Sequence, residues 1–537
     1  MIDYLLKLAP GAEITEGEIL SVTVEPAVFY ELAVHLRKDA NLSFDYLVCM
    51  TGIDTGEHLG VVYLLRSTKY GHQLQVKTLA VSRENPELFT VSDLWATADL
   101  NEREVFDFFG IRFINHPDMR RLFLRNDWVG YPLRKDYDMN SNPVNLVSDE
   151  TLDVAPALEV TSEGVVEEKE NVVFEDSEYV VNIGPQHPAT HGVLRFRVSL
   201  EGEIVKKVDV NCGYIHRGIE KMCESLTYPQ TLALTDRLDY LSAHQNRHAL
   251  CMCIEKAMGL EVPQRAVYIR TIMDELTRVA SHLLFWSTFC MDLGALTAFF
   301  YGFRDREKIL NLFEETCGGR LIMNYNVIGG VMTDIHPNLV QGVKDFIKYL
   351  PPMLKEYQEV FTGNIIAQQR MKGIGILTRE KAISFGVTGP SGRASGWACD
   401  VRKINSYGVY DKVKFDEILR DDCDVFGRYM VRMDEIVQSL GILEQLIDNI
   451  PEGDYAVKTK PIIKLPEGNW YSSVEASRGE FGVYIDSRGD KYPYRLKFRS
   501  PGLPLVSVVD TLATGNKIAD LIAIGGSLDY VVPDIDR

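Results

Sequence analysis

The sequence contains no C-x-x-C pair, although nine of its 537 residues are cysteine. The odd number and irregular spacing of these cysteines argue against a disulfide scaffold and favour a reducing cytoplasm as the compartment. The sequence also lacks a Walker-A motif and the glycine fingerprint of dinucleotide-binding folds, so it predicts no nucleotide or flavin site. Because no thiolate cluster motif is present, we expect this chain to hold neither a metal nor an iron–sulfur centre of its own.

Basic residues are scarce relative to acidic ones, since 57 lysines and arginines stand against 76 acidic residues and the net charge is −19. A chain with this balance is not expected to bind nucleic acid, because phosphate contacts need a basic surface. The charge is concentrated in residues 149–178, where eleven acidic residues and one lysine give a local net charge of −10. We therefore predict a solvated acidic linker over residues 141–178.

Hydrophobic patterning divides the rest of the chain into two unlike domains. Residues 1–140 mix strand-like runs, such as 61–65, with short helical segments, which predicts a small α+β domain. Residues 179–537 open with β-like alternation, become strongly helical between about 218 and 360, and later return to short extended runs. The predicted fold class is α+β, with a second domain that has a helical core and peripheral β segments.

One stretch is long and apolar enough to need a membrane check, because Asp292 is the only formal charge in residues 279–303. Its length would span a bilayer, but polar residues interrupt it and the apolar residues before it recur at helical spacing. We interpret the stretch as buried helical core, with a membrane span as the alternative. A carboxylate in such surroundings needs a partner or a proton, so Asp292 is either paired for structure or used in proton transfer.

Two histidine pairs are candidates for chemistry. His187 and His191 lie in the segment 184–192, where Pro188 prevents a regular helix and the flanking glycines and prolines predict a tight loop. A loop with two imidazoles suits a functional site better than a core. His244 and His248 have the i, i+4 spacing of a metal pair, but the sequence shows neither a third ligand nor the glutamate of a zincin. We interpret this second pair as part of a helix surface.

Several long, ordered motifs resemble the subunits of respiratory complex I. Motifs of the 30 kDa subunit occur in the first domain, at residues 102–110, 116–121 and 127–137. Motifs of the 49 kDa subunit occur in the second domain, at residues 184–192, 213–221, 237–240, 274–282, 292–295, 394–396, 475–480 and 534–537. The chain is identified as a member of this family in which the two subunits are fused, as in the C/D-type subunits of some bacterial complexes.

The 49 kDa family shares its fold with the large subunit of nickel–iron hydrogenases. The resemblance therefore implies that fold for residues 179–537, and hydrogenase activity is the competing function. Hydrogenases bind nickel and iron through two C-x-x-C pairs, but the corresponding residues 235–240 and 532–537 contain no cysteine here. Four missing soft ligands remove that metal site. The resemblance thus favours a subunit of a proton-pumping quinone oxidoreductase of the complex I type, active only in the assembled complex.

The resemblance also implies a quinone pocket between this chain and the partner subunit that carries the terminal iron–sulfur cluster. His191 and Tyr240 match the residues that hydrogen-bond the two quinone carbonyls, and Asp292 matches the acid that holds the histidine. Arg217 matches an arginine near the partner's cluster, and His187 and Thr190 are further binding candidates in the loop of His191. Such an arrangement supplies a proton donor at each quinone oxygen.

The same resemblance implies the partner subunits and the cellular location of the chain. Expected partners are the small iron–sulfur subunit, a ferredoxin-like subunit and the membrane subunit of the quinone channel. The expected location is peripheral, on the cytoplasmic side of the bacterial inner membrane. The first domain is expected to dock rather than to carry chemistry. NADH, ferredoxin or another module stays open as the electron donor.

The quinone species is predicted from one departure from the family pattern. Many relatives carry a histidine in an Arg-x-His segment near the cluster, where this chain has Arg320 followed by Leu321, Ile322 and Met323. A histidine there would stabilise the reduced cluster by taking up a proton. Its absence predicts a lower cluster potential, which favours menaquinone over ubiquinone as the acceptor.

Overall fold

The computed structural model describes residues 2–141 and 153–537. Its N-terminal part contains a five-stranded sheet in the order β1-β2-β5-β4-β3, with β2 and β5 parallel and the other neighbours antiparallel. The strands are β1 (Glu13–Thr15), β2 (Leu20–Val24), β3 (Tyr46–Asp54), β4 (Leu59–Arg66) and β5 (Gln73–Leu79). The helices of this part are α1 (Ile2–Leu8), α2 (Pro26–Lys38) and α3 (Ala98–Phe109). All nine residues of β3 are buried, because α3 packs against this strand.

The acidic segment is not the contact-free linker that its charge predicts. Strands β8 (Val154–Val160) and β9 (Val166–Val172) form an antiparallel hairpin, and β8 pairs with β7 (Arg112–Ile114) of the first domain. Together with β6 (Glu87–Phe89), they make a sheet in the order β6-β7-β8-β9.

The burial pattern along the hairpin explains why this acidic segment forms a sheet instead of a solvated linker. On β8, small and apolar residues such as Ala155, Ala157 and Leu158 are buried, whereas most of β9, including its acidic residues, is exposed. The alternation therefore gives a strand with one buried face, which the charge count does not reveal. Residues 142–152 of the predicted linker lie outside the described residues.

The second part of the chain begins with an antiparallel sheet and continues into a helical core. The sheet consists of β10 (Tyr179–Ile183), β11 (Arg195–Glu201) and β12 (Ile204–Asn211). The next elements in chain order are α4 (Ile219–Cys223), α5 (Tyr228–Thr235), α6 (Ala243–Met258), α7 (Gln264–Asp292), α8 (Leu296–Cys317), β13 (Asn326–Val327), β14 (Gly330–Val331), α9 (Leu339–Tyr357), α10 (Ile365–Gln369), α11 (Arg379–Phe385), α12 (Gly389–Arg393), α13 (Val401–Ile404) and α14 (Val425–Ile447). Helix α7 is central, since it packs against α6, α8 and α14.

The last part of the chain closes around this helical core. An antiparallel sheet is followed by short helices: β15 (Glu467–Ala476), β16 (Gly479–Arg488), β17 (Arg495–Arg499), α15 (Gly502–Ser507), α16 (Val509–Ala513), α17 (Ile518–Leu528) and α18 (Val532–Ile535). Helix α17 packs against α7 and α14, while β15 packs against α6. The α+β class, with a helical core and peripheral strands in the second domain, is confirmed.

Residues 279–290 of the apolar stretch 279–303 are interior helix, as the helical spacing before them predicts. Most of residues 291–303 are half-buried or exposed, so the prediction of a buried core is wrong for that part. The stretch is divided between α7, which ends at Asp292, and α8, which begins at Leu296. Side chains from Val279 to Cys290 are almost all buried against neighbouring helices. Within residues 2–141 and 153–537, no helix combines the length and the apolar character needed to cross a membrane.

A buried group of charges joins the two halves of the molecule. Glu104 of α3 contacts Lys497 of β17 and the side chain of Arg537. Glu220 of α4 accepts hydrogen bonds from Arg495 at 2.5 Å and from Arg537 at 3.2 Å. All five side chains are nearly or fully buried, and each carboxylate faces at least two cations, as buried charges require. The side chain of Arg537 is thus part of the contact between the domains.

Candidate functional site

The loop after β10 presents His191 to the end of α7. Pro188 begins a short 3-10 turn, Pro188–Thr190, and the ring nitrogen Nδ1 of His187 caps it by accepting from the backbone N–H of Ala189 at 3.2 Å. The Thr190 hydroxyl donates to the carbonyls of His187 and Gly192, at 2.8 Å each. These local bonds hold the tight loop that the proline and glycines predict. His191 follows the turn with φ of 52°.

His191 and Asp292 form a close pair across 101 positions of sequence. His191 Nε2 lies 2.6 Å from Asp292 Oδ2, and the side chains are 18% and 5% exposed. Burial lowers the pKa of His191, but the hydrogen bond and charge of Asp292 outweigh burial and raise this pKa above its usual value. The predicted partner of the carboxylate is therefore His191, and the pair favours a protonated imidazole.

Helix α17 covers this pair closely. A Cβ atom at Gly526 would lie only 2.8 Å from Asp292 Oδ2, so the helix can approach the carboxylate because this residue has no side chain. The contact leaves little space around Asp292 Oδ2, the same atom that His191 contacts. Asp292 is held between two elements, which fixes the direction of its bond to the imidazole.

Tyr240 lies beside a buried arginine, Arg478. Tyr240 is half-buried between α5 and α6, and Arg478 is fully buried in the turn between β15 and β16. Burial raises the pKa of Tyr240, while the positive charge of Arg478 lowers it. The same arginine lowers the pKa of His191, and Asp529 raises the pKa of both residues. His191 and Tyr240 thus share one set of charged neighbours.

Arg478, Asp239 and Asp529 form what we call the Arg478 cluster. Arg478 Nη1 donates to Asp239 Oδ2 at 3.1 Å and to the Ser281 hydroxyl at 2.9 Å, while Nη2 donates to Asp529 Oδ1 at 3.0 Å. Sequence reasoning missed these three residues as site residues. Asp239 and Arg478 do lie inside the motifs 237–240 and 475–480, so their position next to Tyr240 and within those motifs was a usable signal.

The structure places Arg217 and His187 away from the His191–Asp292 contact. Arg217 donates to the carbonyl of Arg237, three residues before Tyr240, at 2.9 Å. It also lines a groove of about 570 Å³ between the two halves, which includes the apolar side chains of Phe123, Trp128 and Met222. His187 is exposed and serves as the cap of the loop.

The interpretation of His244 and His248 as surface residues is wrong. Each is only 2% exposed, and both face Asp274 of α7, which is fully buried. His244 Nδ1 lies 3.1 Å from Asp274 Oδ1, and His248 Nδ1 lies 2.6 Å from Oδ2. Over the described residues, no group of three or more His, Cys, Asp or Glu side chains is arranged to hold a metal ion. The pair contacts a carboxylate on another helix, which the spacing alone does not show.

Comparisons with known proteins agree with this two-part architecture. Residues 22–143 match the family model described as the 30 kDa subunit of the respiratory-chain NADH dehydrogenase, and residues 292–464 and 460–537 match the 49 kDa subunit. The chain is 67% identical over 509 residues to the C/D-type subunit of the NADH-quinone oxidoreductase of Phocaeicola vulgatus, covering 95% of this chain and 98% of that protein.

Other relatives include both a fused subunit and a separate subunit that matches only the second part of the chain. The C/D-type subunit of the same enzyme from Bacteroides fragilis is 65% identical over 526 residues, covering 96% of this chain and 99% of the relative. The D-type subunit from Bacillus cytotoxicus is 44% identical over 360 residues, which is 67% of this chain and 98% of that protein. A subunit that is separate in one organism therefore corresponds to about two thirds of this chain. The chain belongs to the C/D-type subunits of NADH-quinone oxidoreductase, the family in which the 30 kDa and 49 kDa subunits of complex I are fused in one polypeptide.

Proposed function

We propose that this chain forms a quinone-reduction pocket together with a partner subunit that carries an iron–sulfur cluster, and that His191 and Tyr240 donate the protons. The observation that carries the proposal is the 2.6 Å contact between His191 Nε2 and Asp292 Oδ2. It joins a loop imidazole to a largely buried carboxylate, and it matches the acid–histidine pair that the family resemblance implies. The names of the relatives supply the substrate class, a quinone, and the electron donor, NADH.

The proton balance fits this pair of residues. Reduction of a quinone to a quinol takes two electrons and two protons, one proton at each oxygen. In the imidazolium form, His191 donates its Nδ1 proton to one oxygen and keeps the proton on Nε2, which remains bonded to Asp292. Tyr240 donates its hydroxyl proton to the other oxygen, and the positive charge of Arg478 stabilises the phenolate left behind. The electrons come from the partner's cluster.

Exposed apolar side chains beside Asp292 support a partner or substrate at this end of α7. Met291, Leu296 and Phe300 are 38%, 57% and 60% exposed, although they lie next to the core of the second domain. Apolar surface of this kind is typical of a site that another molecule covers. We infer that a membrane subunit and the apolar tail of the quinone cover it, with the chain peripheral on the cytoplasmic side of the inner membrane.

The groove that contains Arg217 suits the small iron–sulfur subunit. Its wall is mainly apolar and comes from both halves of the chain, while Arg125, Arg217 and Lys221 add positive charge. A positive charge near a cluster favours its reduced form, because reduction adds a negative charge. We place the cluster-bearing subunit here and leave the ferredoxin-like subunit as a further partner of the same complex.

Menaquinone is the acceptor that this site favours in our proposal. Residues 320–323 contain no histidine, and Arg320 is held at the surface by Glu307 and Glu314. No imidazole from this segment is therefore available to stabilise the reduced cluster by taking up a proton. A cluster of low potential delivers electrons to a low-potential quinone.

Replacement of Asp292 by asparagine tests the proposed function directly. Asp292→Asn keeps the shape of the side chain but cannot balance an imidazolium, so we expect quinone reductase activity of the assembled complex to fall at least ~tenfold. Reduction of an artificial electron acceptor that does not use the quinone site is the control and should stay unchanged. A wild-type rate of quinone reduction in assembled Asp292→Asn complex would refute the assignment.

A further inference from the structure

The first turn of α6 carries five consecutive polar side chains that are buried. His244, Gln245, Asn246, Arg247 and His248 are at most 6% exposed. Buried polar groups are costly unless they are hydrogen-bonded, so each of these side chains needs a partner outside its own turn. The partners lie on several different segments, which makes this turn a junction within the second domain.

The two histidines fix the turn to helix α7. Asp274 accepts from both imidazoles, with Nδ1–Oδ distances of 3.1 Å to His244 and 2.6 Å to His248. Asp274 is fully buried, and the side-chain amide of Asn326 donates to the backbone carbonyl of His244 at 3.1 Å. We call His244, Asp274 and His248 the histidine clamp. It fixes the rotation of the start of α6 about the helix axis and its position along that axis, relative to α7.

Two of the three residues between the clamp histidines, Gln245 and Asn246, reach toward the candidate site. Asn246 Nδ2 donates to the backbone carbonyl of Asp239 at 3.2 Å, immediately before Tyr240. Gln245 Oε1 accepts from the backbone N–H and the hydroxyl of Ser477, at 3.0 and 3.1 Å, immediately before Arg478. Gln245 Nε2 donates to the carbonyl of Asp274 at 3.0 Å, which ties it to the clamp.

We propose that Asn246 and Gln245 are positioning residues for quinone reduction, because they hold the backbone that carries Tyr240 and Arg478. This inference rests on the proposed function, which assigns Tyr240 as a proton donor. Both residues are fully buried and contact backbone groups beside Tyr240 and Arg478. Their effect is geometric, since proton transfer requires the donor to be within hydrogen-bond reach, and a shift of about 1 Å can cost up to ~100-fold in rate.

A double-mutant cycle with Tyr240→Phe tests this proposal in the assembled complex. Asn246→Ala removes the bond to the Asp239 carbonyl, and we expect kcat for quinone reduction to fall about fivefold, the rate equivalent of one hydrogen bond. Tyr240→Phe alone should lower kcat at least ~tenfold. If Asn246 acts by placing the Tyr240 hydroxyl, adding Asn246→Ala to Tyr240→Phe should cost less than about twofold, because the placed group is already absent.

Gln245→Met keeps the length of the side chain but removes its three hydrogen bonds. We combine it with Tyr240→Phe in a second double-mutant cycle and expect the same pattern of losses. Thr231→Ala is the matched control, because Thr231 is fully buried and its hydroxyl donates to the carbonyl of Tyr228, away from Tyr240 and Arg478. It should leave kcat within about twofold of wild type. Rates are expressed per assembled complex, and Asn246→Ser replaces Asn246→Ala in the cycle if that variant does not assemble.

The outcomes separate this proposal from the proposed function. Losses that multiply in the double variant, or a wild-type rate for both Asn246→Ala and Gln245→Met, would overturn the positioning role while leaving Tyr240 as donor. A wild-type rate for Tyr240→Phe alone would instead remove the proton-donor role on which the positioning role depends. Non-multiplicative losses for either residue, with an unaffected Thr231→Ala control, support positioning.

Discussion

Gly526 offers a way to disturb the His191–Asp292 pair without changing either residue. In Gly526→Ala, the new Cβ would lie 2.8 Å from Asp292 Oδ2 and 3.1 Å from Phe289 Cδ2. Phe289 is buried and tightly packed, so the carboxylate is the neighbour that moves. Because Oδ2 is the atom that contacts His191 Nε2, we expect the 2.6 Å contact to lengthen.

The size of the effect follows from the strength of that hydrogen bond. A hydrogen bond to a charged group contributes about 1.5–3 kcal/mol, and loss of about 1.4 kcal/mol changes a protonation equilibrium tenfold. Asp292 contributes most to raising the pKa of His191 against the effect of burial, with a smaller contribution from Asp529, so a weaker bond to Asp292 lowers this pKa. His191 donates only when protonated, so activity is lost as pH rises through its pKa. For each protein, the rate of quinone reduction at about pH 8 is divided by the rate at about pH 6. We expect this ratio to be about tenfold lower in Gly526→Ala than in wild type.

The assay is the pH dependence of quinone reduction by assembled complex. Gly525→Ala is the matched control, because it lies in the same helix and its new Cβ would meet the Tyr530 hydroxyl at 3.3 Å rather than Asp292. Both variants gain helix propensity, so a difference between them reports on the carboxylate. An unchanged alkaline limb in assembled Gly526→Ala complex would show that Asp292 does not set the protonation of His191 during turnover.

Three further predictions concern other parts of the molecule. Tyr240→Phe removes one hydroxyl and little volume, so kcat should fall further than quinone affinity, which loses about 1 kcal/mol; a change in affinity alone would show that Tyr240 only orients the ring. Deleting residues 154–172 should reduce the amount of assembled complex, because the hairpin buries Ala155, Ala157 and Leu158. The control, the double variant Glu163→Gln and Glu167→Gln, should assemble like wild type. If the deletion variant assembles as well as this control, the hairpin has no structural role. The partner's terminal cluster should show a reduction potential with weak pH dependence between about pH 6 and 8, measured by redox titration; a slope near one proton per electron would mean that another group replaces the absent histidine.

Local sequence patterns were sufficient for the parts of this protein whose structure depends on nearby residues. The apolar spacing before residue 279 predicts a buried helix, and α7 is one, because helical burial repeats every few residues. Pro188 and the neighbouring glycines predict the tight loop of His191, because proline limits the local backbone. The motifs were also sufficient to assign the family, because together they follow the family order over nearly the whole chain outside the acidic segment.

Charge counting was not sufficient for the acidic segment. Eleven acidic residues in residues 149–178 indicate a solvated linker, and the acidic side chains of β9 are indeed exposed. What they do not show is that β7 offers a strand edge to β8. Pairing with a distant strand depends on the position of that edge, which no local pattern contains.

Which side chains meet depends on the tertiary structure. The residues by themselves show only that Asp292 needs a partner, and the family resemblance implies that His191 is that partner. The two side chains meet because the loop after β10 is folded onto the end of α7. In the same way, Asp274 turns His244 and His248 from an apparent surface pair into a buried clamp, and Asp239 and Asp529 make Arg478 part of the candidate site. Hydrogen bonds and ion pairs act over a few ångströms, so their partners are determined by the packing of elements that lie far apart along the chain.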